Sequence, residues 1–100
     1  MSVVLTMKVP GDTEKFRSFI SSEASRLTGI ADSARAGGCI HHRFAIGDGY
    51  VLVVDEWESA EAFQKFFQDN EQIAEVMREA GAQGEPEFEF AEAVDSADQF

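Results

Sequence analysis

Hydrophobic positions recur first with a period of two residues and then with a period of three to four, which predicts a strand followed by a helix. The strand runs from Ser2 to Val9, and one of its faces is formed by Val3, Leu5, Met7 and Val9. The helix runs from Thr13 to about Arg35, with Asp12 as its N-terminal cap. Gly29 costs about 1 kcal/mol relative to alanine within a helix, so we expect a break or bend there.

A β-hairpin is predicted next, because two apolar runs flank a glycine-rich turn. The second strand extends from Cys39 to Ile46 and the third from Tyr50 to Trp57. Asp48-Gly49, within Gly47-Asp48-Gly49, suits a type I′ turn. We expect three apolar residues of the second strand to share one face: Ile40, Phe44 and Ile46.

Two registers of this hairpin remain open, and they differ in which residues face each other. A two-residue loop places His42 opposite Asp55 and His41 opposite Glu56. A three-residue loop places His41 opposite Asp55 instead. Adjacent strand residues point to opposite faces, so His41 and His42 cannot jointly bind one metal ion.

The second half of the chain predicts another helix and a last strand. Ser59 is the expected helix cap, and the helix ends near Ala80-Gly81. Its apolar pattern is interrupted at Asp69-Asn70, which predicts two helical pieces. The last strand is expected from Glu87 to Val94, followed by a polar tail over 95–100.

The order β-α-β-β-α-β is that of the ferredoxin-like split unit, an α+β fold with a four-stranded antiparallel sheet and two helices on one face. We expect one domain over 1–94. The third strand begins with Tyr50-Val51-Leu52-Val53-Val54, which is apolar on both faces. One helix layer covers one face, so we expect a second copy of the chain to cover the other.

Composition narrows the possible partners. The net charge of −11 argues against binding to nucleic acid or to an anionic membrane surface, since both need basic patches. A lone cysteine, Cys39, rules out an intrachain disulfide and a cysteine-based metal cluster. No apolar run approaches the roughly 18 residues of a membrane span. We expect a cytoplasmic protein.

Two stretches resemble the antibiotic biosynthesis monooxygenase family: Gly38-Cys39-Ile40 at the entry to the hairpin, and the run from Asp55 to Phe63, DEWESAEAF. The resemblance covers about Val3 to Val94. It implies a dimeric α+β barrel, in which two ferredoxin-like sheets face each other. The family includes cofactor-free oxygenases of polycyclic quinol-type substrates, haem-degrading enzymes and members of unknown function.

The haem-degrading branch of this family fits the chain poorly. Those enzymes carry an asparagine on the first strand, an aromatic residue early in the second helix and a haem-ligating histidine later in it. Phe66 matches the aromatic position, but Val76 stands near the histidine position and the first strand holds no asparagine. We therefore expect neither a bound haem nor a bound metal ion, and no cofactor.

As an enzyme of this family, the chain would be a cofactor-independent monooxygenase acting on a small aromatic or quinol-type substrate in a cavity between helices and sheet. The proton acceptor would be His42 or His41, oriented by Asp55 or Glu56, with Arg43 stabilising the substrate anion. The expected substrate contacts are Trp57, Phe44, Phe66 and Asp55.

A second interpretation uses the same residues without chemistry. The chain would then be a non-catalytic dimeric barrel that binds a small hydrophobic ligand or has a structural role. The histidine would form a structural hydrogen bond in a cross-strand pair, Trp57 would close the core and Arg43 would pair with an acid. A cavity of several hundred Å³ with a histidine at its wall would favour the enzyme.

Overall fold

The computed structural model describes residues 2–100. Within them the chain forms eight elements in this order: β1 Val3–Pro10, α1 Thr13–Ser22, α2 Ala24–Ala36, β2 Cys39–Gly47, β3 Tyr50–Trp57, α3 Ala60–Asp69, α4 Gln72–Glu79 and β4 Glu87–Glu92. The strands make one antiparallel sheet in the order β2-β3-β1-β4. The predicted ferredoxin-like fold is confirmed.

The core lies between the sheet and the helices. Alternate residues of β1, namely Leu5, Met7 and Val9, are buried, as are the alternate residues of β3 from Val51 to Trp57. They pack with Phe16 and Phe19 of α1, Phe63 of α3 and Val76 of α4. All helices that contribute to the core therefore cover the same face of the sheet.

The first helical segment breaks at Glu23, and the predicted break or bend at Gly29 is wrong. Glu23 leaves the helical region, with φ −118° and ψ 33°, between α1 and α2. Ser21 and Ser22 precede it, and serine hydroxyls compete for backbone groups; the Ser22 hydroxyl lies 3.5 Å from the carbonyl oxygen of Phe19. Gly29 stays helical, in the middle of α2.

The second helical segment is divided at the predicted place. Asn70 leaves the helix with φ −111° and ψ 83°, and its side-chain amide donates to the carbonyl oxygen of Phe66 at 2.8 Å. Both predicted caps are also present. Asp12 accepts hydrogen bonds from two backbone amides of α1, and the Ser59 hydroxyl accepts one from Ala62 at 3.0 Å.

The hairpin has a two-residue loop, so the first of the two predicted registers is correct. Gly47 pairs with Tyr50, His42 with Asp55 and His41 with Glu56. The predicted type I′ turn is wrong. That turn needs positive φ at both central residues, and among the described residues only glycines have positive φ, Gly49 among them at +81°.

A β-bulge interrupts β2 between Cys39 and His41. Cys39 pairs with Trp57 and His41 with Glu56, so Ile40 has no partner in the register and is 56% exposed. The expectation that Ile40 shares the face of Phe44 and Ile46 in a regular alternation is therefore not met. The residues of β2 that oppose buried positions of β3 are Cys39, His42, Phe44 and Ile46.

The last strand is shorter than predicted, since β4 ends at Glu92 and not at Val94. Its partner β1 begins at Val3, which pairs with Glu92, so the ladder runs out of partner residues. One more backbone bond joins Ala93 to Ser2, and Val94 beyond it is 77% exposed.

The helix-free face of the sheet is partly apolar and open in the single chain. Val4 is 36% exposed, and Leu52 and Val54 of β3 are half-buried. Charged residues surround them on the same face, among them Lys8 and Glu56. Across residues 2–100, every helix is too short or too polar to cross a membrane.

Candidate active site

A cavity of about 440 Å³ lies between the helices and the sheet. Its floor is formed by buried sheet residues, including Met7, Val9, Val51 and Val53. Its walls come from α1, α2, α3 and α4, and nearly all of them are apolar. The volume lies within the range of small-molecule sites, and the lining suits a hydrophobic ligand with few polar groups.

The polar contribution to the cavity centres on His42 and Asp55, which face each other across β2 and β3. The His42 Nδ1 atom lies 2.7 Å from Oδ1 of Asp55. The Asp55 side chain is 6% exposed and that of His42 is 38% exposed, so the carboxylate is buried while the imidazole that contacts it reaches solvent. A carboxylate only accepts hydrogen bonds, so Nδ1 is the donor in this contact, and Nε2 is the ring nitrogen that Asp55 does not bind.

Trp57 holds the other oxygen of the same carboxylate. Its indole Nε1–H donates to Oδ2 of Asp55 at 3.0 Å, and Trp57 is itself only 1% exposed. Each oxygen of the buried carboxylate therefore has a donor, which offsets the cost of burying the charge. Asp55, Trp57 and His42 form a connected chain of hydrogen bonds that fixes the orientation of the imidazole.

Aromatic rings surround this chain of hydrogen bonds. Phe44 meets the His42 ring edge-on, with ring centroids 4.7 Å apart, and Phe16 meets Phe44 in the same way at 5.1 Å. Phe66 and Trp57 have ring centroids 5.2 Å apart. All of them line the cavity. Such walls favour a flat aromatic ligand through edge and stacking contacts.

Six of the seven residues predicted for the site line the cavity: His42, Arg43, Phe44, Asp55, Trp57 and Phe66. His41 does not line the cavity; it is exposed and pairs with Glu56, whose side chain lies on the helix-free face of the sheet. Arg43 borders the cavity, but it pairs with Val54 on the helix-free face and its side chain is exposed. Among residues 2–100 no ion pair involves Arg43, contrary to the expected pairing with an acid.

Cys39 lies at the base of the site, in one cluster with Trp57 and Phe63. Burial, reinforced by the negative charge of Asp55, raises the pKa of its thiol to about 11. The thiol is therefore protonated at neutral pH and acts as a small apolar side chain.

Two features of the site were not predicted from the sequence. The first is the Trp57–Asp55 hydrogen bond, which strand periodicity could have revealed, because residues two apart in a strand share a face. The second is the contribution of α2, which lines the cavity with Leu27, Thr28, Ile30, Ala31 and Ala34. Its apolar stripe was recognisable, but a stripe does not show whether a helix packs tightly or leaves a space.

Residues 2–100 contain no cluster of three or more His, Cys, Asp or Glu side chains that could hold a metal ion. Val76, near the expected position of a haem-ligating histidine, is buried, lines the cavity and has no ligating atom. The absence of a bound metal or haem stays a prediction.

No family model and no curated protein sequence matches the chain. Solved structures do. The monooxygenase ActVA-Orf6 of Streptomyces coelicolor, in complex with the ligand nanaomycin D, matches with a TM-score of 0.68 at 17% identity, over 95% of this chain and 89% of that one.

Two further structures have the same architecture. SnoaB, a cofactor-independent oxygenase from Streptomyces nogalater, matches with a TM-score of 0.65 at 12% identity, over 98% of each chain. A dimeric ferredoxin-like protein from an uncultured marine organism matches with a TM-score of 0.63 at 14% identity, over 95% of this chain and 93% of that one. Likeness at this identity establishes the fold: the chain has the ferredoxin-like fold that these three structures share.

Proposed function

We propose that the protein is a cofactor-independent monooxygenase that oxidises a small, electron-rich aromatic phenol or quinol. The observation that carries the proposal is a 440 Å³ apolar cavity with His42 at its wall, backed by the buried carboxylate of Asp55. The fold shared with cofactor-independent oxygenases supports it.

His42 begins the reaction as a general base. Its Nε2 atom accepts the hydroxyl proton of the substrate, and Asp55 stabilises the resulting imidazolium through Nδ1–H. Trp57 keeps the carboxylate in place during this transfer. Arg43 pairs with Val54 on the helix-free face of the sheet, so the protonated Nε2–H of His42 is the group that stabilises the substrate anion by a hydrogen bond.

The deprotonated ring then reacts with O₂ directly. The ring carbon para to the phenolate supplies two electrons, in one-electron steps, and forms a C–O bond to give a peroxide, which takes up a proton. This carbon carries a hydrogen atom in the substrate: loss of water from the hydroperoxide removes that hydrogen as a proton, breaks the O–O bond and leaves a carbonyl on the carbon. A phenol plus O₂ thus gives a quinone plus H₂O, with one oxygen atom in each product. The apolar walls keep bulk water from the anion.

We further propose that the working form is a homodimer, with two helix-free faces packed together. The partly exposed Val4, Leu52 and Val54 support this arrangement, as does the dimeric ferredoxin-like protein of the same fold. In a two-fold interface of this kind, positively charged side chains of one face would lie opposite negatively charged side chains of the other.

The alternative, a dimeric barrel that binds a hydrophobic ligand without chemistry, is favoured by a different observation. Almost the whole cavity lining is apolar, and such a lining serves binding equally well. In that case His42 and Asp55 would be a structural pair, and a fused-ring ligand would bind but would not be oxidised.

The two adjacent histidines provide a matched test. We expect His42→Ala to lower turnover of an electron-rich phenol such as 1-naphthol by about 10²–10⁴-fold, because the proton acceptor is lost. His41→Ala should retain near wild-type turnover, since His41 lies on the other face. The measurement is oxygen uptake together with the absorbance of the quinone, in protein treated with a chelator.

Two outcomes would count against the proposal. Equal turnover by both variants, with the fold intact by circular dichroism, would remove histidine catalysis. A wild type that binds fused-ring phenols but oxidises none of them would support the binding protein instead.

A further inference from the structure

The cavity lining is partly exposed where α2 and α4 contribute to it, as it is at His42 and Arg43 of β2. Its floor and the α1 wall are buried, including Val51, Val53 and Phe16. Several lining residues of α2 and α4 are less well covered, although Ala34, Val76 and Ala80 are buried: Thr28 is exposed, and Leu27, Ile30, Ile73 and Met77 are half-buried. A ligand that entered between these two helices would pass these partly exposed residues.

One ion pair joins α2 to α4. Arg26 of α2 donates two hydrogen bonds to Glu79 of α4, with Nη1–Oε1 at 3.1 Å and Nη2–Oε2 at 2.8 Å. Within residues 2–100 it is the ion pair that links two long helical segments, 53 positions apart in sequence. Its members directly precede Leu27 and Ala80, which both line the cavity.

The surroundings of the pair hold it in this geometry. Glu23 contacts the same guanidinium at 3.3 Å, and the guanidinium carbon lies 6.0 Å from the ring centroid of Phe19. The two parallel bonds give the contact a defined direction, as bidentate arginine–carboxylate pairs do. The pair is nevertheless partly exposed, so it is weak, screened by salt and readily broken.

We propose that the Arg26–Glu79 pair is a latch on the ligand entrance between α2 and α4. When the pair breaks, the helices part and an apolar ligand enters or leaves; when it forms again, the ligand is enclosed beside His42. The inference rests on the proposed function to the extent that the cavity is the ligand site. It adds the route of entry and the residues that control it.

A gate affects rates more than affinity, and this distinguishes it from a merely stabilising contact. We expect Glu79→Gln to raise both the association and the dissociation rate constant of the neutral fluorophore N-phenyl-1-naphthylamine by about two- to fivefold, with little change in Kd. Stopped-flow fluorescence measures both constants. Raising NaCl to about 0.5 M should speed the wild type and leave the variant nearly unchanged, because screening acts on the pair.

The matched control is Asp32→Asn, which breaks the Arg35–Asp32 pair within α2 at 2.6 Å without touching α4. It should leave both rates unchanged. Ala31→Phe, which fills the cavity, should abolish binding of the fluorophore and so locate it. Circular dichroism checks that each variant is folded.

The outcomes separate the latch from the function. Equal rates in wild type and Glu79→Gln, or the same increase in Asp32→Asn, would overturn the latch and leave the proposed oxygenase untouched. Binding that survives Ala31→Phe, or no binding by any variant, would overturn the cavity as the ligand site and the latch with it.

Discussion

At the scale of single residues, the buried carboxylate of Asp55 distinguishes this site from an ordinary core. Burying a charge is costly unless it is paired, and here both oxygens are used, one by His42 and one by Trp57. Removing either donor would leave an unsatisfied oxygen in an apolar setting. The arrangement fixes the orientation of the His42 ring, because Nδ1 is held by Asp55 and Nε2 is not.

Cys39 gives a prediction at this scale. Because burial raises its thiol pKa to about 11, only about one thiol in a thousand is ionised at pH 8. We expect iodoacetamide to alkylate the native protein at pH 8 at least about 100-fold more slowly than it alkylates free cysteine. Mass spectrometry measures the rate, and urea should restore rapid alkylation. Similar rates in the native and unfolded protein would contradict this account of Cys39.

Much of the site was predictable from residue types and strand periodicity. Placing His42 opposite Asp55 required only the loop length, and the sequence left that open because Gly47 could belong to the loop or to the strand. The family resemblance implied a cavity between helices and sheet, but the size of that cavity was not predictable from residue patterns. Its volume depends on how far α2 and α4 stand from the sheet, and no local pattern specifies that distance.

At the scale of elements, the two helix breaks differ in how clearly the sequence marks them. Asn70 forms a hydrogen bond to the preceding turn and ends a clear apolar pattern, so its break was predicted correctly. Glu23 follows two serines within an uninterrupted apolar pattern, while Gly29 offered a more obvious place for a break. Glycine can adopt helical geometry at a modest free-energy cost, so packing determines whether the helix breaks at Glu23 or at Gly29.

The cap of α3 can be tested directly. Ser59→Ala removes the acceptor for the Ala62 amide and should lower the free energy of unfolding by about 1 kcal/mol. Ser33→Ala, an exposed site inside α2, should leave stability unchanged or slightly raised, since alanine is the better helix former. Urea unfolding followed by circular dichroism measures both. A loss of the same size in Ser33→Ala would show that the cap is not responsible.

The Arg26–Glu79 pair makes a pH-dependent contribution to stability. The hydrogen bond from Arg26, helped by the charge of Arg78, holds the pKa of Glu79 below its ordinary value, while partial burial opposes this. A carboxyl whose folded-state pKa is depressed stabilises the fold above its unfolded pKa of about 4.3, and this stability is lost as the pH falls through the folded value.

We therefore expect Glu79→Gln to have a lower Tm than the wild type at about pH 7, and the difference to shrink as the pH falls below the unfolded-state carboxyl pKa of about 4.3. Scanning calorimetry across this range measures it. Glu23, on the same guanidinium, stays in both proteins and cancels in the comparison. A difference that grows as the pH falls would contradict the sign of this linkage.

At the scale of the whole molecule, the question is what covers the helix-free face of the sheet. Two apolar residues that are equally exposed in the single chain offer a comparison: Val4 on that face and Ile20 on α1, both 36% exposed. We expect the wild type to scatter light as twice the chain mass of 11.0 kDa, Val4→Glu to dissociate and Ile20→Glu to remain dimeric. A wild type that scatters as a single chain at micromolar concentration would contradict the homodimer.

The bulge in β2 has a consequence for changes of chain length. Ile40 is the surplus residue: without it, Cys39 would still oppose Trp57 and His41 would still oppose Glu56, now as consecutive pairs. Deleting Ile40 would therefore leave each neighbouring side chain on the same face of the sheet as before. Deleting any one residue between His42 and Gly47 would turn every residue from that point back toward Cys39 onto the opposite face. Length variation in this strand is thus tolerated at a single position, and a relative one residue shorter there can keep the histidine in place.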